Sequence, residues 1–202
     1  MTDATLSGRE DRSASDHDRR RAARRWWWSL QPLLPDGRPN LHADRGALAR
    51  LRRASTPLDA LDEAAVFALH RALGYGQARA EETLPLVAVA AAVLAHVRDH
   101  DPTAKPARAV GRASLADHTF ETAALSPLRL KRLLQAREPE DLLRQMRRLV
   151  ALARGRLDVG ALAVLILDWG EEVRGPLLRS RFAYDYHAGA GDPPGFTTPP
   201  TA

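Results

Sequence analysis

Apolar residues recur along the chain at the three- and four-residue spacing of amphipathic helices, and no stretch shows the strict alternation of a half-buried strand. Gly and Pro fall between these periodic segments, where helices begin and end. The pattern predicts helices over about 19–30, 44–54, 57–73, 82–98, 127–136, 139–154, 159–173 and 176–187. A short helix is also predicted over 112–118, after a long loop at 101–111. The predicted fold class is all-α, a compact bundle of about eight helices with short connections.

Residues that favour the first turn of a helix mark several of these starts. Asp44 and Asp158 are predicted N-caps, since a short polar side chain there accepts a hydrogen bond from a free backbone N–H. Thr56-Pro57 and Ser126-Pro127 combine a cap with a proline in the first turn. The segment 82–98 is almost wholly apolar, which predicts the most buried helix of the bundle.

Both ends of the chain lack such periodicity. Residues 1–18 are polar and mixed in charge, and 189–202 are rich in Gly, Pro and Thr, so both are predicted to be disordered tails around one helical domain at 19–188. The first 25 residues lack the apolar core of a signal peptide, and the longest apolar run, 84–97, is too short to cross a bilayer. The sequence therefore predicts a cytoplasmic protein.

Composition narrows the chemistry. The chain has 202 residues and no cysteine, which excludes disulfides, thiolate catalysis and Cys-ligated zinc. Its net charge is +5 and its pI about 10.3, so an acidic partner is plausible. Only Lys105 and Lys131 among its 30 basic residues are lysines. Because an Ala- and Arg-rich chain also fits a GC-rich genome, the positions of the arginines carry more information than their number.

The arginines concentrate on a few predicted helices. The segment 126–156 contains nine basic and three acidic residues, a net charge of +6 that exceeds that of the whole chain. At helical spacing Arg144, Arg147 and Arg148 share one face, and Arg129 and Arg132 share a face of the preceding helix. Like charges at this spacing repel each other when no anion is bound.

The predicted helix 44–54 repeats the pattern, with Arg50, Arg52 and Arg53 around an inward-facing leucine pair. A single arginine cluster is as well explained by a solvated face that keeps the protein soluble. Several clusters with few carboxylates favour binding of phosphates, because the planar guanidinium forms bidentate hydrogen bonds with them. A nucleic-acid backbone is the obvious polyanion.

Two other groups of residues have competing interpretations. Trp26, Trp27 and Trp28 could stack on bases, but three consecutive helical residues point in different directions, which favours packing in the core or at an interface. His96 and His100 have a spacing that can bind metal, but they sit at a predicted helix end without the glutamate of a metalloprotease motif. No nucleophile elbow, phosphate-binding glycine loop or nuclease motif is present, so neither catalysis nor a cofactor or metal is predicted.

Four segments in order resemble one known family: "RRWWWSL", "GALARLRRAS", "SPLRLKRLLQAREPEDLLRQMRRLVALA" and "LAVLILDWGEEVRGPLLRSRFAYDYH". They are similar to the small subunit of the type I-E CRISPR surveillance complex, Cascade, known as the CasB family, over about 24–187. The most specific piece is the Ser-x-x-Arg-x-x-Arg-Leu-Leu segment followed by Met146-Arg147-Arg148-Leu149. The triple tryptophan is richer in aromatics than the family's usual pattern.

The resemblance implies a small all-helical protein without catalytic activity. Two copies would lie side by side in the complex and contact the repeated backbone subunit and the large subunit. Basic residues would hold the crRNA-bound target DNA and the displaced strand of the R-loop. Residues matched by position to the family's basic residues, together with Arg144 from the charge pattern, form the predicted site: Arg52, Arg53, Arg112, Arg129, Arg132, Arg144, Arg147 and Arg148.

Three hypotheses of different classes follow. The first is a non-catalytic Cascade subunit that stabilises the R-loop in antiviral defence. The second is a helical adaptor whose basic faces bind acidic protein surfaces without contacting DNA. The third is a free-standing DNA-binding regulator, which ranks last because no helix-turn-helix with base-reading residues is evident.

Overall fold

The computed structural model describes the backbone of residues 3–188 and the side chains of residues 16–188. Within that part, ten α-helices form the fold, which confirms the all-α class and exceeds the predicted number of helices by two. The helices are α1 (Asp3–Leu30), α2 (Arg45–Arg53), α3 (Pro57–Leu61), α4 (Ala64–Ala72), α5 (Ala80–Leu94), α6 (Pro106–Val110), α7 (Pro127–Gln135), α8 (Pro139–Leu152), α9 (Val159–Leu167) and α10 (Arg174–Ala188). Two very short strands, β1 (Asp99–His100) and β2 (Arg156–Leu157), pair in parallel.

The four predicted N-caps stand at the starts of α2, α3, α7 and α9, and three of them form a capping hydrogen bond. Asp44 accepts a hydrogen bond from the Ala47 amide at 2.8 Å, and Asp158 accepts one from Ala161 at 3.1 Å. Thr56 and Asp59 form a reciprocal capping box at the start of α3. Ser126 lies at the N-cap of α7, but its side chain makes no capping hydrogen bond. Local sequence therefore sets these boundaries.

The predicted helix 57–73 is divided in two. Asp62 ends α3, and Glu63 precedes α4 with an extended backbone. Glu63 is buried, and its carboxylate accepts a hydrogen bond from Arg50 Nε at 2.6 Å. This contact lies 13 residues away in sequence, so the helical pattern alone did not indicate the break.

The prediction for 101–118 is wrong in both halves. The predicted loop contains α6, whereas the predicted helix at 112–118 is irregular backbone. Asp117 explains the irregularity, because its carboxylate accepts hydrogen bonds from the backbone amides of Glu121 and Thr122 at 3.2 and 2.9 Å. A side chain that bonds nearby backbone in this way competes with helix formation.

Helix α1 begins well before residue 19, where the sequence analysis places its start. Asp16 lies within it and pairs with Arg19 at 2.6 Å and with Arg174 of α10 at 3.5 Å. Both contacts are polar, and the second joins residues 158 positions apart, so hydrophobic periodicity gave no sign of them. The boundaries of the helical domain at 19 and 188 stay a prediction, and the predicted tail at 189–202 lies outside the described residues.

Helix α5 is the centre of the core, as predicted. Its residues from Val87 to Leu94 are completely buried, and it packs against α3, α4, α8 and α9. The chain then turns at Arg98, whose amide donates to the Gly155 carbonyl at 2.8 Å and brings β1 beside β2. This turn places the end of α5 next to the end of α8. Within the described helices, none is both long and apolar enough to cross a membrane.

The triple tryptophan lies at the end of α1 and serves mainly the core. Trp26 and Trp27 are buried, and their indole N–H groups donate to the carbonyls of Ala65 and Leu94 at 2.8 and 3.1 Å. Trp28 is half-buried against Trp27, with ring centroids 4.7 Å apart. Two of the three rings are therefore structural, in agreement with the interpretation as packing residues.

Candidate nucleic-acid interface

The ends of α2 and α5 and the middle of α8 meet at one place on the surface. Arg52 of α2 donates from Nε to the Ala95 carbonyl at the end of α5, at 2.6 Å. Arg147 of α8 donates from Nη2 to the Leu51 carbonyl of α2, at 3.1 Å. Two arginines that are 95 positions apart in the predicted site are thus held by adjacent helices.

His96 and Arg98 complete this group. Burial lowers the pKa of His96, and the positive charges of Arg147, Arg52 and Arg98 lower it further. Burial lowers the pKa of Arg52 as well, and the nearby charge of Arg98 adds to that effect. The four residues Arg52, His96, Arg98 and Arg147 are called the central basic cluster below.

The positive charge of the cluster is poorly compensated. Among the described side chains, none lies close enough to any of the four to form an ion pair within 4.0 Å. The carboxylate of Asp59 raises the pKa of Arg147 from a longer distance, against the larger effect of burial, which lowers it. The buried Nε of Arg147 and Nε2 of His96 find no hydrogen-bond partner in the described part of the chain. Such a cluster is costly unless an anion balances it.

Four more arginines of the predicted site lie exposed: Arg53 on α2, Arg129 and Arg132 on α7, and Arg148 on α8. In the portion described by the structure, their side chains form no ion pair. Helix α7 packs against α8, and α2 packs against α5. We refer to these four residues as the exposed arginines.

The face predicted for α8 is divided by its neighbours. Arg147 is half-buried under α2, whereas Arg144 and Arg148 are exposed. Arg144 lies 3.5 Å from the carboxylate of Asp141, one turn earlier, so its charge is partly compensated. Three arginines on one predicted face of the same helix therefore lie in three different environments.

Arg112 stands apart from the cluster and bonds to the protein itself. Its Nε donates to the His187 carbonyl at 2.6 Å, and its Nη1 donates to the carbonyls of Leu115 and Asp117 at 3.3 and 3.2 Å. The guanidinium also lies over the Phe120 ring, 5.2 Å from the centroid. These contacts tie the irregular segment after α6 to the end of α10 and use most of its hydrogen-bonding capacity.

Three residues that the structure places in or beside the central basic cluster are absent from the predicted site: Arg45, His96 and Arg98. Arg45 lies two turns before Arg52 on α2, so helical spacing could have indicated it. His96 was considered only as a metal ligand, and Arg98 follows an apolar helix with no local sign of its neighbours. The partner residue of the metal hypothesis, His100, accepts a hydrogen bond at Nδ1 from the Val159 amide at 3.3 Å.

The first testable prediction concerns His96. Because its pKa in the folded state lies below the ordinary value of about 6.5, the unfolded state binds a proton first as pH falls. Its contribution to stability is therefore complete above about pH 6.5 and is lost progressively below it. Arg147→Met is expected to raise the pKa of His96, measured as the NMR titration of its Cε1 proton.

Arg148→Met is the matched control, because Arg148 is the adjacent exposed arginine. The assignment of His96 to the cluster would be wrong if the two variants shifted its titration equally.

Comparison with known proteins identifies one relationship. The family model described as CRISPR-associated protein Cse2 matches residues 47–187, more than half of the chain. The matched region contains every residue of the predicted site and the whole central basic cluster, while Arg45 lies just before it. No curated protein and no solved structure gives a significant match.

Proposed function

The chain belongs to the CRISPR-associated Cse2 family, the CasB-type subunit of the type I-E Cascade complex, and from this premise we propose that its basic surface stabilises the R-loop. Its partners include other Cascade subunits. In the proposal it acts without catalysis and binds the phosphates of the crRNA-bound target DNA and of the displaced strand. A second copy of the chain in the same complex, which the resemblance implies, stays a prediction.

One observation supports this function above the rest: three arginines and a histidine from three elements are held together without an ion pair to any described carboxylate. Some other arginines of the described chain do have such partners, as Arg19 has in Asp168 at 2.7 Å. An anion that arrives from outside would supply the missing charge. A nucleic acid carries a row of phosphates, so one phosphate can bind the central basic cluster while others bind the exposed arginines.

Backbone contacts of this kind are useful in an R-loop. The exchange of a DNA duplex for an RNA–DNA hybrid is nearly balanced in free energy, so a few phosphate contacts can tip it. The displaced strand re-anneals unless something holds it, and a basic groove holds it without recognising its sequence. The arginines of α2, α7 and α8 are suited to that role.

Binding of the purified chain to labelled single-stranded DNA, duplex DNA and RNA across a salt series tests the proposal. About six phosphate contacts would give a slope near −4 for log K against log salt on a single strand. We expect binding that is independent of sequence and steeply weakened by salt. Absence of binding at low salt would contradict the proposal and favour an acidic protein surface as the partner of these arginines.

A further inference from the structure

A concave groove of about 460 Å³ opens beside the central basic cluster. Arg45 and Arg52 of α2 and Arg98 after α5 line one part of it. Pro32, after the end of α1, and Leu48 and Ala49 of α2 form an apolar wall. The groove thus combines three positive charges with an apolar wall.

Two other concavities in the described part of the chain differ in charge. One is lined by two carboxylates, Asp16 and Asp185, together with four basic side chains: Arg20, Lys105, Arg108 and Arg181. The other is lined by Arg19 and Arg174 together with Asp168, to which both are paired at 2.7 and 3.0 Å. Both of these concavities contain their own carboxylates, whereas no carboxylate lines the groove at Arg45.

The arginines of the groove can still donate hydrogen bonds to a ligand. Arg52 donates from Nε to the Ala95 carbonyl, which holds the guanidinium in place and leaves its two terminal nitrogens to face a ligand. Neither Arg45 nor Arg98 forms an ion pair with a described side chain. Fixed guanidinium groups bind phosphate through paired hydrogen bonds, and their flat faces stack on nucleobases.

We propose that this groove binds one unpaired nucleotide of a single strand, with the base against Pro32, Leu48 and Ala49 and the flanking phosphates at Arg45, Arg52 and Arg98. The proposal rests on the proposed function and assigns it a specific class of ligand. Phosphates alone need only a flat basic surface, whereas a nucleotide presents an anion and an apolar ring side by side. The groove volume lies within the range of about 300–1,000 Å³ that is usual for small-molecule sites.

The proposal distinguishes single strands from duplexes. In a duplex every base is stacked and paired, so insertion of one base requires unstacking energy of a few kcal/mol. An unpaired strand can turn a base aside at little cost. Of the nucleic acids in an R-loop, the displaced strand is therefore the one that fits the groove.

The test compares an oligothymidine with an oligomer of the same length in which abasic sites replace the bases, because both carry the same phosphates. Fluorescence anisotropy of the labelled oligomers with the full chain measures the ratio of the two dissociation constants. We expect the intact oligomer to bind at least about fivefold tighter, as stacking of a single base provides.

Ala49→Leu provides the matched variant. Ala49 is exposed on α2, so the larger side chain fills the groove without entering the core, and all three arginines remain. The preference for the intact oligomer is expected to fall to about one, with binding of the abasic oligomer unchanged. Ala68→Leu, at an exposed position of α4, is expected to keep the preference.

Equal binding of both oligomers by the unmodified chain, or a preference that survives Ala49→Leu, would overturn the nucleotide site and leave the backbone contacts of the proposed function intact. Failure of both oligomers to bind would overturn the proposed function as well.

Discussion

Replacement of the four exposed arginines, Arg53, Arg129, Arg132 and Arg148, by glutamine is expected to weaken binding to single-stranded nucleic acid by about two to three orders of magnitude at 0.1 M salt. Each phosphate contact on a single strand contributes about 0.7 to the slope of log K against log salt. Four lost contacts therefore reduce that slope by about 3, and the affinity falls most at low salt.

The loss is expected to be specific to binding, because these side chains form no ion pair with the described residues and lie at the surface. Surface substitutions of this kind usually change the free energy of unfolding by less than about 0.5 kcal/mol. Urea denaturation of both proteins checks this point, and anisotropy across a salt series measures the slope.

A second variant with the same change in net charge serves as the control. Its substitutions replace Arg21, Arg38, Arg71 and Arg79 by glutamine, and three of these four arginines are paired with Asp18, Asp36 and Glu82 in the structure. If net charge alone controlled binding, the two variants would lose affinity equally. A smaller slope in the first variant alone would locate the contacts on α2, α7 and α8.

In a reconstituted Cascade the first variant also separates two of the original hypotheses. A subunit that holds DNA would still assemble but would lose R-loop stability. An adaptor that uses the same arginines for acidic protein surfaces would fail to assemble.

Trp27→Ala is expected to lower the free energy of unfolding by about 3–5 kcal/mol, the range for removal of a buried aromatic side chain. The side chain of Trp27 is 1% exposed, and its indole N–H donates to the Leu94 carbonyl at 3.1 Å. The substitution creates a cavity and leaves that carbonyl without its indole donor. Urea denaturation followed by circular dichroism measures the change.

Two neighbouring substitutions make the result specific. Trp27→Phe keeps an aromatic ring but removes the hydrogen bond, so a smaller loss of about 1–2 kcal/mol is expected. Trp28→Ala removes a half-buried ring of the same triplet and should cost less than Trp27→Ala. Equal losses at positions 27 and 28 would contradict the assignment of Trp27 to the core.

The loss of Trp27 also bears on the proposed interface. Leu94, which accepts its hydrogen bond, precedes Ala95, which accepts the hydrogen bond of Arg52. The carboxyl end of α5 is therefore held by a core residue on one side and by a site residue on the other. A substitution that loosens this end of α5 is therefore expected to lower both the free energy of unfolding and the affinity for nucleic acid.

Features that depend on local structure were predictable from the amino-acid sequence. Hydrophobic spacing gave the helical class, and short polar residues and prolines gave the starts of α2, α3, α7 and α8, because the first turn of a helix is stabilised by its own neighbours. The apolar composition of the segment 82–98 likewise identified the central helix. The concentration of arginines on the predicted helices was evident, although not which of them would meet.

The tertiary structure decided what depends on residues far apart in the chain. Glu63, at the break between α3 and α4, is held by Arg50, which lies 13 residues earlier. Arg147 and Arg148 are adjacent in sequence, yet only Arg147 is covered by α2 and joins the central basic cluster. Helical spacing fixes where a side chain points around its own helix, but the packing of that helix against others decides whether the charge meets a carboxylate, a carbonyl or solvent. For that reason the groove at Arg45, Arg52 and Arg98, assembled from three segments of the chain, emerged only from the fold.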